Sequence, residues 1–419
     1  MVEYLSPGIY VEEMQIAAKP IEGVSTSTVG FVGLAECGDN NKPTLITSWG
    51  QFVDKFGRYT NDAPYLAPSV HGFFANGGSR CYVVKVQDNA AEKDYVGIDG
   101  GPGNRTGLQA LQEVEEVSIV CIPGAASKAV QAAMITHCEN MKYRVCILDA
   151  ALDADIEAVK SQSNYVISTT GHAALYYPWI NVAIETKKIN TAILTKDFMP
   201  PSGFVAGIYA RVDSELGVHK APANEIIQNA LDVKVNITKS EQDVLNPLGI
   251  NCIRSFPEQG IKVWGARTTS SDPSWKYINV RRLLIYLEES IEKGTQWVVF
   301  ELNDEKLWAK VKETITKFLI GVWREGALMG TKPEEAFCVK CDRTTMTQDD
   351  IDKGRLVVFI GVAPIKPSEF MIFRITQCLK GDGKKPRSRF IALLESIVSR
   401  AWGIIQQAVR WVRSVVESS

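Results

Sequence analysis

The chain has 419 residues, of which 45% are hydrophobic and 22% are charged, and its formal net charge is −2 at pH 7. These values are typical of globular proteins, predict about two or three domains, and leave enough apolar side chains for a sizeable core. A charge so close to zero gives no general attraction to nucleic acid, and no nucleic-acid partner is expected.

Cysteine usage and the N-terminus indicate the compartment. The 9 cysteines are an odd number and lie mostly inside apolar runs, which indicates buried thiols in a reducing compartment and not a disulfide framework. The first residues, MVEYLSPGIYVEE, contain no basic segment followed by an apolar one, so a secretory signal peptide is not expected. No apolar run reaches the ~18 residues that a transmembrane helix requires.

The N-terminal part of the chain is predicted to be extended at first and then to contain strands and a short helix. A turn over Tyr4–Gly8 is followed by the β-prone segment Ile9–Val11. Farther on, the patterns predict strands over 24–34 and 81–86, a helix over 47–57, and a glycine-rich loop over 97–107.

Beyond this loop the pattern changes to alternating helices and strands. Helices are predicted over 108–116, 127–142 and 153–161, and strands over 117–122, 143–148 and 173–177. Because these strands are continuously apolar, they predict a parallel sheet that is covered on both faces. The stretch from 178 to 256 is predicted to be rich in loops, with short strands and one helix near 223–232.

The C-terminal part again mixes helices and strands, which makes the predicted fold class mixed α/β. Helices are predicted over 280–293 and 304–325, the second starting from an Asn303/Asp304 cap. Strands are predicted over 262–266, 297–300, 337–342, 356–363 and 370–375.

The C-terminal extension differs from the rest of the chain. Residues 380–389 form a basic linker, and apolar residues recur at helical spacing over 390–416, which predicts an amphipathic helix. Such a helix can fold onto its own domain, dock into a groove of a partner, or lie on a membrane surface. The periodicity leaves these three alternatives open.

Motifs for nucleotide or metal binding are weak. The glycine-rich loop has the spacing Gly101, Gly103 and Gly107, which misses the GxGxxG of dinucleotide sites and lacks the Lys-Ser/Thr of a P-loop. We interpret it as a structural turn. Cys338 and Cys341 form a CxxC without a second pair of ligands nearby, so no zinc site is assigned.

The segment PSGFVAGIYARVDSELGVHKAPANE, residues 201–225, contains the residue types of a catalytic loop. Its polar candidates are Arg211, Asp213, Glu215, His219 and Lys220. No nucleophile motif or series of metal ligands accompanies them, so we interpret it as a rigid packing segment in which Pro and Gly fix the turns and the charges pair or cap. The apolar side chains expected to be buried are Phe204, Val205, Ile208 and Tyr209. A soluble α/β enzyme that uses the 99–107 loop or the 211–220 charges is the alternative, and no catalytic residue is assigned.

Several sequence blocks occur in a particular order along the chain. They are YLSPGIYVEE (4–13), VGFVGLAE (29–36), GGSRCYVVKV (77–86), DGGPGNRTGLQALQEVEEVSIVCIPG (99–124), AALYYPWI (173–180), PPSGFVAGIYARVDSELGVHKAPANE (200–225), LNPLGINCIRSFPEQGIKVWGARTTSSDPSWKYINVRRLLIYLEESI (245–291) and FCVKCDRTTMTQDDIDKGRLVVFIGVAPIKPSEFMIFRI (337–375). Together these blocks resemble the sheath proteins of contractile phage tails and related contractile injection systems. The number of blocks and their order make the resemblance specific.

The resemblance implies a structural subunit and not an enzyme. Proteins of this family stack as six-membered rings in a helical tube around an inner tube, and the tube shortens to drive the inner tube through an envelope. The implied partners are further copies of the chain, an inner tube protein, and baseplate and terminal cap proteins. No nucleotide, metal or other cofactor is implied, and assembly is expected in a bacterial cytoplasm or in the tail of a phage virion.

The resemblance also implies a multidomain subunit. Residues 1–27 form an N-terminal arm that joins the inner domain, and residues 28–256 form an inserted outer α/β domain. Residues 257–378 form an inner α/β assembly domain with a C-terminal strand arm. Residues 379–419, the basic linker and the amphipathic helix, extend beyond the usual family pattern.

Contacts between subunits are implied at both arms. Exchange of strands with adjacent subunits implies interface residues Tyr4, Ile9, Tyr10 and Val11 in the N-terminal arm (about 3–16) and Phe370, Ile372, Phe373 and Ile375 in the C-terminal strand (about 368–377). On the inner domain, Lys310 and Lys317 are expected to face the inner tube. The alternative for these two lysines is an ordinary solvated helix face.

Overall fold

The computed structural model describes residues 20–188 and 191–369, without the side chains of 185–196. The strands are β1 Val29–Gly33, β2 Thr44–Ile46, β3 Cys81–Lys85, β4 Ile119–Cys121, β5 Val145–Asp149, β6 Ala173–Tyr177, β7 Ile180–Lys188, β8 Thr191–Met199, β9 Glu225–Ile226, β10 Ala230–Val233, β11 Ile250–Phe256, β12 Gly260–Trp264, β13 Phe337–Lys340 and β14 Phe359–Val362. The α-helices are α1 Trp49–Phe56, α2 Leu66–Ala75, α3 Glu92–Val96, α4 Lys128–Met141, α5 Ile156–Ser163, α6 Ser202–Leu216, α7 Lys239–Leu245, α8 Ile278–Gly294, α9 Glu305–Arg324, α10 Pro333–Ala336 and α11 Gln348–Asp352.

A nine-stranded sheet forms the centre of the fold, in the order β2-β3-β1-β4-β5-β6-β11-β12-β9. The strands from β3 to β11 in this order run parallel, and β2 and β12 pair antiparallel with them at the two sides. Within β5, Val145 and Ile147 pack into one core, while Cys146 and Leu148 pack into another on the opposite face. The predicted parallel sheet with two covered faces is therefore confirmed.

Helices cover both faces of this sheet. α2 and α6 pack on one face, and α4 and α5 pack on the other. The hydroxyls of Ser48 and Ser127 and the carboxylate of Asp155 each accept a backbone N–H in the first turn of α1, α4 and α5, which is the preferred way to start a helix. The helix predicted over 108–116 is a 3₁₀ helix over Gly107–Glu113.

The stretch from 178 to 256 corrects one prediction. It contains the long helix α6 and the paired 9-residue strands β7 and β8, and the residues near 223–232 form strand segments and not a helix. The glycines of α6 resemble turn signals in the sequence, but they allow close packing against α2. A Cβ on Gly203 or Gly207 would lie 2.4 Å from the carbonyl oxygen of Ser69 or Phe73.

A third core lies in the C-terminal part of the described chain, where α9 and the two-stranded sheet β13–β14 pack against α8. α8 contributes to two of the cores, because Ile285 packs into the core on one face of the large sheet while Leu283 and Leu287 pack into the C-terminal core. Of the two residues predicted to cap α9, Asn303 and Asp304, it is Asp304 that accepts a backbone N–H of the first turn. The strand predicted over 297–300 is wrong, since a 3₁₀ turn over Gln296–Val298 leads into an exposed connection.

The predicted domain boundary at residue 257 falls in the turn between two paired strands. β11 and β12 form a hairpin, so β12 belongs to the large sheet although its residues fall within the predicted inner domain. α8 then packs into the core on one face of the large sheet and into the C-terminal core. The division into an outer domain over 28–256 and an inner domain over 257–378 stays a prediction.

Several predicted segments lie outside the described residues. These are the N-terminal arm with Tyr4, Ile9, Tyr10 and Val11, the C-terminal strand with Phe370, Ile372, Phe373 and Ile375, the linker 380–389 and the amphipathic helix 390–416. Within the described ranges, no helix is long and apolar enough to cross a membrane.

Candidate assembly surfaces

The glycine-rich loop does not fit a phosphate. The N–H of Gly101 donates to the Asp99 carboxylate at 3.2 Å, and the N–H of Gly103 donates to the Glu113 carboxylate at 2.6 Å. A phosphate site needs such N–H groups free and unopposed by negative charge. Arg105 is itself bonded to Asp99 at 2.8 Å. The loop is therefore a self-satisfied turn, as its spacing predicted.

The charges of the 211–220 segment do not converge on a catalytic site. Arg211 donates to the carbonyl oxygens of Asn76 (3.2 Å) and Ile226 (3.0 Å), so it joins the end of α2 to β9. The predicted buried residues are at most 1% exposed, namely Phe204, Val205, Ile208 and Tyr209. The interpretation as a packing segment is confirmed, although the segment packs as a helix and not as a series of turns.

A buried ion pair joins α6 to α8 and to the N-terminal end of the described chain. Arg282 donates to Asp213 through both terminal nitrogens, one at 2.9 Å, and the two side chains are 4% and 6% exposed. The Thr26 hydroxyl donates to the same carboxylate at 2.6 Å, and the Thr26 carbonyl accepts from Arg282 at 2.9 Å. The Arg282 guanidinium also lies 4.7 Å from the ring centre of Tyr209. The sequence predicted that Asp213 would pair or cap, but it did not identify the partner.

A second buried carboxylate, Asp149, lies at the carboxyl end of β5. It accepts from the N–H of Ser202 (2.8 Å), the hydroxyl of Ser202 (2.7 Å) and the N–H of Gly124 (3.0 Å). Burial raises the pKa of this carboxyl to about 6. Ligands often bind at this edge of a parallel sheet, but here the first turn of α6 occupies the position. Asp149 is not among the residues predicted above, although an Asp that ends a continuously apolar strand is the sequence signal that could have identified it.

The two thiols of the CxxC differ in their surroundings. Cys338 is exposed and Cys341 is buried, as expected for thiols on opposite faces of a strand. Within the residues that the structure describes, no group of three or more His, Cys, Asp or Glu side chains could hold a metal ion.

The sheet β13–β14 has open edges. Each of its strands has one partner strand among the described residues, through the pairs Phe337↔Val362 to Lys340↔Phe359. One face packs into the C-terminal core through Val339, whereas Phe359 on the other face is 58% exposed. A two-stranded sheet is marginal in water by itself, and unpaired edges accept further strands.

The two lysines expected to face an inner tube lie on α9 but differ in their surroundings. Lys317 is exposed and pairs with Glu313 one turn earlier at 2.6 Å. Lys310 is half-buried, with its ammonium 4.6 Å from the ring centre of Trp297. The neighbouring Arg281 and Arg282 on α8 are 6% and 3% exposed, so they do not contribute to an accessible basic surface.

Comparison with known proteins gives consistent matches over most of the chain. The model of the phage tail sheath protein central domain matches residues 93–269, and that of the phage tail sheath C-terminal domain matches residues 270–377. A prophage major tail sheath protein of Pseudomonas aeruginosa (strain UCBPP-PA14) is 25% identical over 392 residues, which cover 88% of this chain and 95% of the relative. The tail sheath protein of Escherichia phage P2 is 22% identical over 393 residues, which cover 88% and 94%.

Solved structures of contractile assemblies are similar as well. The helical sheath of the anti-feeding prophage in its contracted state is 31% identical with a TM-score of 0.73, over 89% of this chain and 99% of that chain. The contracted PVC sheath complex of an extracellular contractile injection system is 29% identical with a TM-score of 0.74, over 91% and 99%. Both the fold and the sequence are therefore shared over nearly the full length of these neighbours.

Proposed function

The chain belongs to the family of contractile tail sheath proteins, and from this membership we propose that it polymerises as stacked six-membered rings into a helical sheath around an inner tube. It is a structural component of a contractile tail or tail-like particle. The proposed role is mechanical, with no chemical reaction, and no catalytic residue is assigned to it.

The observation that carries the proposal is the open-edged sheet β13–β14. Its two strands leave both outer edges without a partner among the described residues. An added extended segment would gain main-chain hydrogen bonds along such an edge. The proposed donors are the N-terminal arm (3–16) and the C-terminal strand (368–377) of adjacent copies, which pair with the sheet of a neighbour and link the subunits into a continuous network.

Such contacts are head to tail, so they propagate as a helix and do not close into a dimer. Main-chain pairing can persist while subunits rotate about the arms. Contraction is then the passage from a metastable extended packing to a packing of lower free energy, across a barrier. The proposed further partners are the inner tube, a baseplate and a terminal cap, in a phage virion or in a particle that assembles in the bacterial cytoplasm.

The inner-tube contact is proposed to use charge on α9. Lys317 is exposed, and its partner Glu313 is exposed too, so a tube carboxylate can compete for the ammonium. Lys310 is proposed as a second contact near the start of the helix. Contacts of this kind weaken as salt rises, because the charges are exposed to solvent.

A single substitution in the arm tests strand exchange. Tyr10→Pro removes a backbone N–H and disfavours an added strand, whereas Tyr10→Phe keeps both backbone and ring. Since Tyr10 precedes the described fold, both variants are expected to be folded. Negative-stain microscopy of the purified proteins is expected to show tubes for wild type and Tyr10→Phe and only monomers or short oligomers for Tyr10→Pro.

Deletion of residues 1–16 is the stronger version of the same test. It is expected to abolish polymerisation while the circular dichroism spectrum retains the signal of the folded body. Long tubes from both the deletion and Tyr10→Pro would show that this arm does not link the subunits.

A further inference from the structure

The connection between α8 and α9 exposes three large apolar side chains. Val299, Phe300 and Leu302 are 63%, 104% and 83% exposed. Single exposed apolar residues are normal on protein surfaces, but a contiguous group of them marks an interaction site. Phe300 also has a φ of 71°, a left-handed backbone conformation that is unusual for an aromatic residue.

This connection is fixed to the folded body on both sides. Trp297 precedes it, packs against the C-terminal core, and has the Lys310 ammonium 4.6 Å from its ring centre. Asn303 follows it, donates to the carbonyl oxygen of Arg355 at 3.1 Å and accepts from the indole of Trp308 at 2.7 Å. The apolar side chains are therefore presented from a fixed support.

The described chain begins beside the same connection. Ile21 is 9% exposed and belongs to the C-terminal core. A Cβ on Gly294, the last residue of α8, would lie 2.6 Å from the Ile21 side chain, and the connection starts at the next residue, Thr295. Residues 1–19 thus join the fold beside the end of α8, five residues before Val299 in the sequence.

The sequence of residues 12–19, EEMQIAAK, complements this surface. Met14 and Ile16 supply apolar side chains, and Glu12 and Glu13 carry the charge opposite to that of Lys310. The indole N–H of Trp297 is buried and has no hydrogen-bond partner among the described residues. A buried donor of this kind is costly unless an acceptor is supplied, and a backbone carbonyl of an extended segment is a suitable one.

We propose that the connection Val299–Leu302 is the docking site for residues 12–19 of the same chain. The inference rests on the proposed strand exchange: the base of the arm is held on its own subunit, and residues 3–11 leave in a fixed direction toward the neighbour. Fixing the base lowers the conformational entropy that the arm loses when it pairs. Docking at this surface thus prepares the subunit for assembly by fixing the base of its arm.

Site-specific photo-cross-linking tests the docking. Phe300→p-benzoylphenylalanine keeps an exposed aromatic ring and adds a reactive ketone. The full-length variant is prepared with natural and with heavy nitrogen, and the two preparations are mixed at a dilution at which no tubes form, irradiated and digested for mass spectrometry. Cross-linked peptides are expected to contain residues 12–19 and to carry one isotope only. The same substitution at Leu216, which is 53% exposed at the end of α6, is the matched control and is expected to give no cross-link to 12–19.

Three outcomes would overturn the docking. Mixed-isotope cross-links would show that a second copy occupies the surface. Cross-links to another part of the same chain, or none above the level of the Leu216 control, would show that residues 12–19 do not bind there. Because the measurement uses monomers, tubes formed by Tyr10→Pro would refute strand exchange alone, and an absent cross-link would refute the docking alone.

Discussion

The ion pair between Asp213 and Arg282 connects α6, α8 and the N-terminal end of the described chain. The pair is nearly fully buried, and Thr26 satisfies further hydrogen bonds on both sides of it. Burial of an ion pair is not by itself evidence of large stabilisation, since desolvation opposes the Coulomb attraction. Loss of one partner is different, because it leaves the other charge buried without compensation.

Asp213→Ala is therefore expected to lower the free energy of unfolding by about 3–5 kcal/mol. The matched control is Glu313→Ala, which removes the exposed carboxylate paired with Lys317 and is expected to change stability little, since water solvates both groups. Denaturant unfolding of monomeric protein followed by tryptophan fluorescence measures both variants. Equal losses of unfolding free energy in the two variants would show that the buried pair stabilises the protein no more than the exposed pair does.

At the scale of elements, α6 shows how a glycine can be a packing residue within a helix. Gly203 and Gly207 face the backbone of α2 so closely that the two helices could not approach with larger side chains. By contrast, Gly321 lies within α9 with no atom within 4 Å of an added Cβ. The same residue type thus has opposite consequences in two helices.

Substitution by alanine separates the two cases. Gly207→Ala places its Cβ 2.4 Å from the carbonyl oxygen of Phe73, so the helices must move apart, and we expect a loss of about 1–3 kcal/mol. Gly321→Ala is expected to stabilise the protein by about 0.5–1 kcal/mol through the higher helix propensity of alanine. Thermal unfolding of both variants is the measurement, and a stabilised Gly207→Ala protein would contradict the close approach of α2 and α6.

At the scale of the whole molecule, the helix α8 joins the large sheet to the C-terminal core. It packs into the core on one face of the large sheet and into the core that contains α9 and the open-edged sheet β13–β14. In the proposed assembly the arms extend from this body to its neighbours. The extension over 379–419 follows the matched family domains, the second of which ends at residue 377.

Deletion of residues 379–419 is expected to leave tube assembly intact, because the proposed arms end before it. Negative-stain microscopy of the truncated protein should show tubes of the same diameter as those of the full chain. Loss of tubes would place residues 379–419 in the lattice itself. Intact tubes together with lost vesicle binding, measured by flotation with anionic liposomes, would favour the membrane alternative.

Most of the architecture was readable from local sequence patterns. Continuously apolar strands such as β5 and β6, separated by capped helices, predicted a parallel sheet covered on both faces, because each strand must bury side chains on two sides. The segments Gly101–Gly107 and Cys338–Cys341 do not match the motifs of nucleotide and zinc sites, because such sites require more ligands than the sequence supplies there. The sequence therefore did not predict either site. The ordered sequence blocks indicated the family.

Only the tertiary structure decided what depends on distant residues. Gly203 and Gly207 look like turn signals until α2 lies against them, and WVVF at 297–300 looks like a strand although no neighbouring strand among the described residues receives it. Asp213 could be expected to pair, but Arg282 lies 69 residues away in the chain. Local periodicity indicates which side chains will be buried. Which helix or strand covers them depends on packing between segments that are distant in the sequence.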